Sequence, residues 1–479
     1  MDATRTTVSA VPQRVGLTGA LGLRTLVLTL LLLWPLILFG RPGYIADSAA
    51  YEKGGKVAVA FVVEKFAGQP AAPAATVNRA PSPENQTSAV KGARSVAYSV
   101  AAYALREPGY SMIALAVVQS LVAGFLCAVA AAVAGVRSPR SFAILALVMA
   151  GASSLPTFTS FALPDVFAGF LVVSQLLLFC YLDRLSFPIR AALALIGAFA
   201  VTAHTSIMPL ALWLLLAGAA LLVWRRRREE QPLQRLAWSA VPFALGAFLT
   251  AASGFIAFHE TSMAAKRFPH ALARSVSDGP ARWYLEKACV KPVYAVCEVF
   301  GTHIPKTVGG FLFTPGGLDE RASPEQMDRI RAEEREIVIR AALAYPGTEL
   351  GNLAGHFGRQ LVTFGTRAGR FGDQIVSDPG GEPLYVDLPD RPSLAIEGLN
   401  VLTYAAIIVS LAWLAIRYRT IDQRERSLLL LLASVLVVNA AFCVMASGIS
   451  DRYEARIAWA IPLFILSFSL GRERHNLAG

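Results

Sequence analysis

Residues 21–39 read Leu21-Gly-Leu-Arg-Thr-Leu-Val-Leu-Thr-Leu-Leu-Leu-Leu-Trp-Pro-Leu-Ile-Leu-Phe39. The run is apolar over the roughly 20 residues a helix needs to cross a hydrocarbon core of about 30 Å. A cleavable secretory signal has a shorter apolar region, roughly 7 to 15 residues, followed by a small-residue cleavage site. Gly40-Arg41-Pro42-Gly43 is no such site, so the run reads as a first transmembrane helix.

Runs of the same kind recur along the 479 residues, of which 55% are hydrophobic and 16% charged. With a mean hydropathy of +0.50, this composition excludes an ordinary soluble globular protein. Spans are predicted near 21–40, 110–135, 141–160, 164–182, 190–204, 207–224, 236–257, 396–417, 427–446 and 457–471. The fold class is therefore an all-α polytopic membrane protein of about ten transmembrane helices. The net charge of +11 sits in short arginine clusters beside apolar segments, as topology signals do. No basic face interleaved with aromatics follows the clusters, which argues against nucleic acid as a partner.

Placing residues 1–20 and 472–479 in the cytoplasm satisfies the positive-inside rule at every short loop. The cytoplasmic loops are then Arg137 to Arg140, Asp183 to Arg190, Arg225 to Arg235, Arg417 to Arg426, and the tail with Arg472 and Arg474. The run Arg225 to Arg228 reads as an anchor beside anionic headgroups. Residues 21–257 form a transmembrane module interrupted by an outer loop, 41–109. Residues 258–395 form an outer, periplasmic segment, and 396–471 the C-terminal spans. A bacterial inner membrane is the expected location.

Within the first outer loop, residues 44–66 suit an amphipathic helix at the interface, 67–94 a Pro- and Ala-rich loop, and 95–105 a second short apolar helix. In the long outer segment, Asp278-Gly279-Pro280 is a turn signal. Ser323-Pro324-Glu325 opens a helical stretch that Tyr345-Pro346-Gly347 divides in two. Cys127, Cys180 and Cys443 lie within spans as small packing residues. Cys289 and Cys297, eight positions apart and outside, favour a disulfide stapling a loop.

Ionisable residues at span ends are costly, so each is either functional or structurally partnered. Asp47 and Glu52 follow the first span, Asp165 starts another, and His204 ends a third. Asp451, Arg452, Glu454 and Arg456 crowd the last outer loop. Taken singly, Asp165 after Pro164 can cap a helix, His204 can bond a carbonyl, and Asp451 can pair with Arg452 or shape a turn. Taken together, they share one membrane face and resemble a site for an anionic, lipid-linked substrate. A carboxylate can take the proton of an attacking hydroxyl, and arginines can hold a departing phosphate. Chemistry of this kind requires no metal, although two carboxylates could hold a divalent cation.

The first span leads into an outer loop with an acidic residue near its start, Ala46-Asp47-Ser48-Ala49-Ala50-Tyr51. A second acidic residue stands in the next outer turn, Leu163-Pro164-Asp165. Over residues 20–210 this order resembles the GT-C superfamily of membrane glycosyltransferases, which use polyprenyl-phosphate sugars. The later segments, Asp278-Gly279-Pro280, Phe311-Leu312-Phe313 and Asp451-Arg452-Tyr453 among them, are similar to uncharacterised bacterial membrane proteins. The resemblance implies a GT-C-like fold and an inverting transferase that moves sugar from a polyprenyl-phosphate donor to an envelope glycan, lipid or protein. Asp47 would be the base, with Asp165 orienting acceptor or metal. Glu52, His204, Asp451, Arg452 and Arg456 would bind substrate or donor phosphate. Two other readings stay open: a transporter or lipid flippase, and a non-catalytic subunit of polysaccharide assembly or export. Against a transporter, the two halves show no internal repeat.

Overall fold

The computed structural model describes residues 14–67, 94–106, 111–224, 231–259, 266–313, 315–366, 371–377, 383–388 and 393–472. The expected loop between Ala67 and Arg94, the run Arg225 to Arg228, and Arg474 lie outside the described residues.

The chain is an all-α membrane protein. Seven helices among the described residues are long and apolar enough to cross a bilayer: Gly19–Phe39, Ile113–Val133, Ile207–Trp224, Pro232–Phe258, Leu394–Arg417, Gln423–Ala446 and Asp451–Arg472. The other three expected spans form shorter apolar helices, Pro139–Gly151, Val166–Cys180 and Phe187–Ala203, of 13, 15 and 17 residues. At about 1.5 Å per residue these reach roughly 20–26 Å, short of a whole hydrocarbon core.

Two of the long helices are broken where proline dictates. Pro35 and Pro462 have no N–H to give the carbonyl four residues back, and their rings crowd it. The breaks fall at Leu33, between Gly19–Leu32 and Trp34–Phe39, and at Trp459, between Asp451–Ala458 and Ala460–Arg472.

Val166–Cys180 is the axis of the bundle, with every one of its residues buried. The helices Ile113–Val133, Phe187–Ala203, Ile207–Trp224, Pro232–Phe258, Gln423–Ala446 and Asp451–Ala458 pack around it. On the periphery, Pro232–Phe258 and Leu394–Arg417 leave Phe248, Phe255, Ile408 and Val409 exposed, as helices bathed in lipid do.

The two ends of the bundle differ in chemistry. At one, the guanidinium of Arg24 donates to the carbonyls of Val136 and Arg137, both at 2.7 Å, and Arg184 donates to that of Val133. Asp183 pairs there with Arg235 at 3.3 Å and Arg424 at 3.0 Å. A β-bridge joins Val15 to Leu185 at this end, and a second joins Gly43 to Phe161 at the other.

Beyond the second end, Ala46–Ala67 forms over the segment predicted to be helical. Its buried residues Ser48, Ala49, Tyr51, Glu52 and Gly55 fall on one face, where Tyr51 meets Tyr98 and Gly55 meets Ser99 of Val96–Ala104. Val96–Ala104 packs across this helix, and a Cβ on Gly55 would lie 2.0 Å from the Ser99 carbonyl oxygen, so only glycine permits the crossing.

Residues 266–366 carry a separate hydrophobic core built around Leu272, Phe311, Met327 and Ile337. Its main helix, Pro324–Ala344, starts with a capping box: Ser323 Oγ accepts the Gln326 N–H and Gln326 Oε1 accepts the Ser323 N–H. A second helix, Pro346–Leu361, follows the Tyr345-Pro346 break. Cys289 and Cys297 are joined by a disulfide, their Cα atoms 5.1 Å apart. Cys127, Cys180 and Cys443 are free and buried. One departure from an all-helical chain is the antiparallel strand pair Gln374–Ser377 and Pro383–Val386, too short to show as an alternating pattern in the sequence. Just before it, the Phe371 ring stacks on Phe39 at 4.6 Å and meets Phe161 at 5.2 Å.

Candidate active site at the loop end of the bundle

The Gly43–Phe161 bridge brings the loop that leads to Asp47 beside the turn that leads to Asp165. Gly43 N–H donates to the Ser160 carbonyl at 2.9 Å, and Ala162 N–H donates to the Gly43 carbonyl at 3.0 Å. Gln119, fully buried in Ile113–Val133, holds the same turn by donating to the carbonyls of Thr159 (3.0 Å) and Phe161 (2.7 Å). Tyr98 OH donates to Gln119 Oε1 in turn.

Asp165 occupies the position before Val166–Cys180, but its side chain makes no capping hydrogen bond. The reading of this residue as a helix cap is therefore corrected: its two oxygens face Arg452 and Arg456, each with a guanidinium nitrogen at 3.7 Å. Gly169, one turn further along, lies on the same helix face as Asp165. A Cβ there would fall 2.6 Å from both the Arg456 carbonyl oxygen and the Trp459 indole nitrogen, so the missing side chain lets the arginine-bearing helix come close. Ser154 Oγ fixes that helix by donating to the Ala455 carbonyl at 2.6 Å.

Arg456 is only 1% exposed. It donates to Asn439 Oδ1 at 2.7 Å and to Ser206 Oγ at 3.1 Å, while Asn439 donates to Glu454 Oε1 at 2.6 Å. Ser206 carries the link to His204, whose Nδ1 accepts the Ser206 backbone N–H at 3.1 Å. That bond leaves the proton of the neutral ring on Nε2. Burial pulls the His204 pKa below the ordinary histidine value; Asp165 opposes the shift, and Arg456 and Arg452 add to it.

A cleft of about 140 Å³ opens beside this network, lined in part by Tyr51, Arg94, His204, Arg267 and His270. Asp47 stands directly behind it, accepting a hydrogen bond from Arg94. Burial also lowers the His270 pKa, aided by Arg94 and opposed by Asp47. The Tyr51 hydroxyl is raised by burial first and by Asp47 next, with Asp165 and Arg452 also acting on it. Asp47, Asp165, His204, Arg452 and Arg456 thus belong to one electrostatic cluster, although their sequence numbers span more than four hundred positions.

Glu52 and Asp451 stand apart from the cleft. Glu52 is fully buried and accepts from Arg106 Nη1 at 2.6 Å. Asp451 lies against Gly365, where a Cβ would meet its Oδ2 at 2.7 Å. Arg94, Arg267, His270, Tyr51, Ser206 and Asn439 join the site without having been singled out in the sequence. Arg94 closes a stretch that reads as loop, and Asn439 lies inside an apolar span, where a buried amide is a signal in its own right. Among the described residues, no three His, Cys, Asp or Glu side chains are grouped as a metal would need. Compared with family models, curated proteins and solved structures, the chain matches none.

Proposed function

We propose that this chain is an inverting glycosyltransferase of the GT-C type, moving a sugar from a polyprenyl-phosphate donor to an acceptor hydroxyl at the outer face of a bacterial inner membrane. The observation that carries the reading is a cleft lined by Arg94 and His204, with Asp47 paired to Arg94 and the ion-paired Asp165, Arg452 and Arg456 beside it, at the end of the bundle opposite the arginine turns. The positive-inside rule makes the arginine end cytoplasmic and the cleft end outer.

Ten crossings are part of this proposal, and the two β-bridges support counting the 15-residue helix among them. Val15 and Gly43 flank the 21-residue first span, and they pair with Leu185 and Phe161 respectively. The segment 161–185 therefore covers the same thickness as a span of full length.

In the reaction, the acceptor oxygen attacks the anomeric carbon and gives its proton to the Asp47 carboxylate. The carbon–oxygen bond to the phosphate breaks, and its electron pair leaves with the lipid phosphate. Asp47, 30% exposed at its side chain, has the access a base needs. Asp165, 7% exposed and faced by two arginines, is suited to hold Arg452 in place for the growing phosphate charge.

The test compares envelope glycans and lipid-linked sugars in a deletion strain, in wild type, and in Asp47→Asn and Asp165→Asn cells. Accumulated donor together with a missing sugar is expected; unchanged glycan profiles in both variants would sink the proposal. The buried Arg456–Asn439–Glu454 set favours a second reading, a transporter or lipid flippase, because such systems keep polar groups inside the bundle. That reading predicts donor stranded on the inner leaflet, with full transferase activity in opened membranes.

A further inference from the structure

The cleft has two unlike walls. Arg94 and Arg267 bring guanidinium groups to it, and His204 and His270 bring imidazoles, whereas no acidic residue lines it among the described residues. Val201, Met208, Phe258 and Phe268 line it with apolar surface. Two of these groups are held from behind: Asp47 grips Arg94, and the buried Glu334 grips Arg267 while accepting the Leu272 N–H at 3.1 Å. Such backing fixes where the positive charge points before any ligand arrives, which lowers the cost of ordering the site on binding.

Size and position narrow the ligand. A volume of about 140 Å³ is below the usual few hundred Å³ of a pocket that encloses a whole small molecule, so this one suits a headgroup. Phe258 ends Pro232–Phe258, whose other face is exposed as lipid-facing helices are, so the apolar wall runs toward the bilayer. A basic end joined to an apolar wall at the membrane fits an amphiphile better than a free anion.

We infer that this cleft binds the phosphate of an isoprenoid phosphate, and that Arg267 and His270, supplied by the 266–366 segment, are specificity-determining residues for it. The separate core of that segment thereby becomes part of the donor site. The choice of isoprenoid carrier rests on the proposed function; the anion itself rests on the cleft. Phosphate oxygens accept charge-assisted hydrogen bonds from both guanidinium groups and from imidazole N–H.

The experiment titrates the purified full-length protein in detergent with farnesyl phosphate, farnesol and inorganic phosphate, followed by tryptophan fluorescence and ligand-induced thermal shift. Farnesyl phosphate should bind at least about tenfold tighter than either other probe, the scale of one lost charged contact. Arg267→Gln and His270→Gln should each weaken it about tenfold, Arg267→Lys less, and the surface control Arg329→Gln not at all. If Arg267→Gln fails to fold because Glu334 is left unpaired, the double variant Arg267→Gln/Glu334→Gln and His270→Gln carry the test. Farnesol binding as tightly as farnesyl phosphate, or wild-type affinity in both cleft variants, would overturn the inference. Inorganic phosphate matching farnesyl phosphate would overturn its lipid half. Binding as expected, alongside unchanged glycans in Asp47→Asn and Asp165→Asn cells, would keep the cleft and discard the transferase.

Discussion

Replacing Gly169 by alanine places a methyl group 2.6 Å from the Arg456 carbonyl oxygen and the Trp459 indole nitrogen. These two atoms hydrogen-bond each other at 2.9 Å, so neither swings aside cheaply. Restoring a contact of about 3.3 Å requires the Asp451–Ala458 helix to withdraw by about 0.7 Å. The two arginines then recede from Asp165, from 3.7 Å to about 4.4 Å. At an effective dielectric of about 20, each pair loses about 0.7 kcal/mol. Arg452 is 23% exposed at its side chain, and solvent screening halves its share, leaving about 1 kcal/mol in all. Overpacking adds about 1–3 kcal/mol, and the better helix propensity of alanine returns about 1 kcal/mol. The net expectation is a destabilisation of about 1–3 kcal/mol.

Thermal unfolding in detergent, read by tryptophan fluorescence, measures this change. Gly351→Ala is the internal control, because that helical glycine has open space around it and the substitution should stabilise by about 0.5–1 kcal/mol. In a double-mutant cycle, Gly169→Ala and Asp165→Asn should be non-additive, since both act through the same ion pairs. A Gly169→Ala protein as stable as wild type, or strict additivity in the cycle, would refute the account of how Asp165 is held.

Other expectations concern the segments outside the spans. Replacing both Cys289 and Cys297 by serine opens a loop of eight residues' separation and should cost about 2–3 kcal/mol, seen as faster proteolysis of the 266–366 segment. His204 and His270 both have folded-state pKa values below the ordinary histidine value of about 6.5. The unfolded chain therefore takes up protons first as pH falls. Stability from these groups is complete above about pH 6.5 and is lost progressively below it. Melting temperature recorded between about pH 4.5 and 7.5 should fall on the acid side, and the slope should shrink in His270→Gln; a flat profile would contradict the burial of both rings.

The spans were legible because a bilayer demands about twenty apolar residues in a row, and that demand is written locally. The helix start at Ser323-Pro324 was legible for the same reason, since a capping box involves residues three apart. The three short helices were harder to bound. Val166–Cys180 is wrapped by protein on all sides, so its length answers to neighbouring helices as well as to lipid. Asp47, Asp165, His204, Arg452 and Arg456 were visible as charges at span ends. Their contacts were not, because Asp165 meets Arg452 only through the packing around Gly169. Arg267 and His270 carry no signal in the sequence for a related reason: nothing local ties residues near 270 to a cleft framed by helices near 200 and 250.

The pair of β-bridges has a mechanical consequence. The first span and the axial helix are pinned to each other at both ends, by Val15 with Leu185 and by Gly43 with Phe161. Two rods fastened at both ends can neither slide nor turn past one another, so together they act as a stator. Neither of them lines the cleft, so widening it for a bulky carrier falls to the segments that do, among them Pro232–Phe258, which meets lipid and carries Phe258 into the wall, and the stretch bearing Arg267, Phe268 and His270.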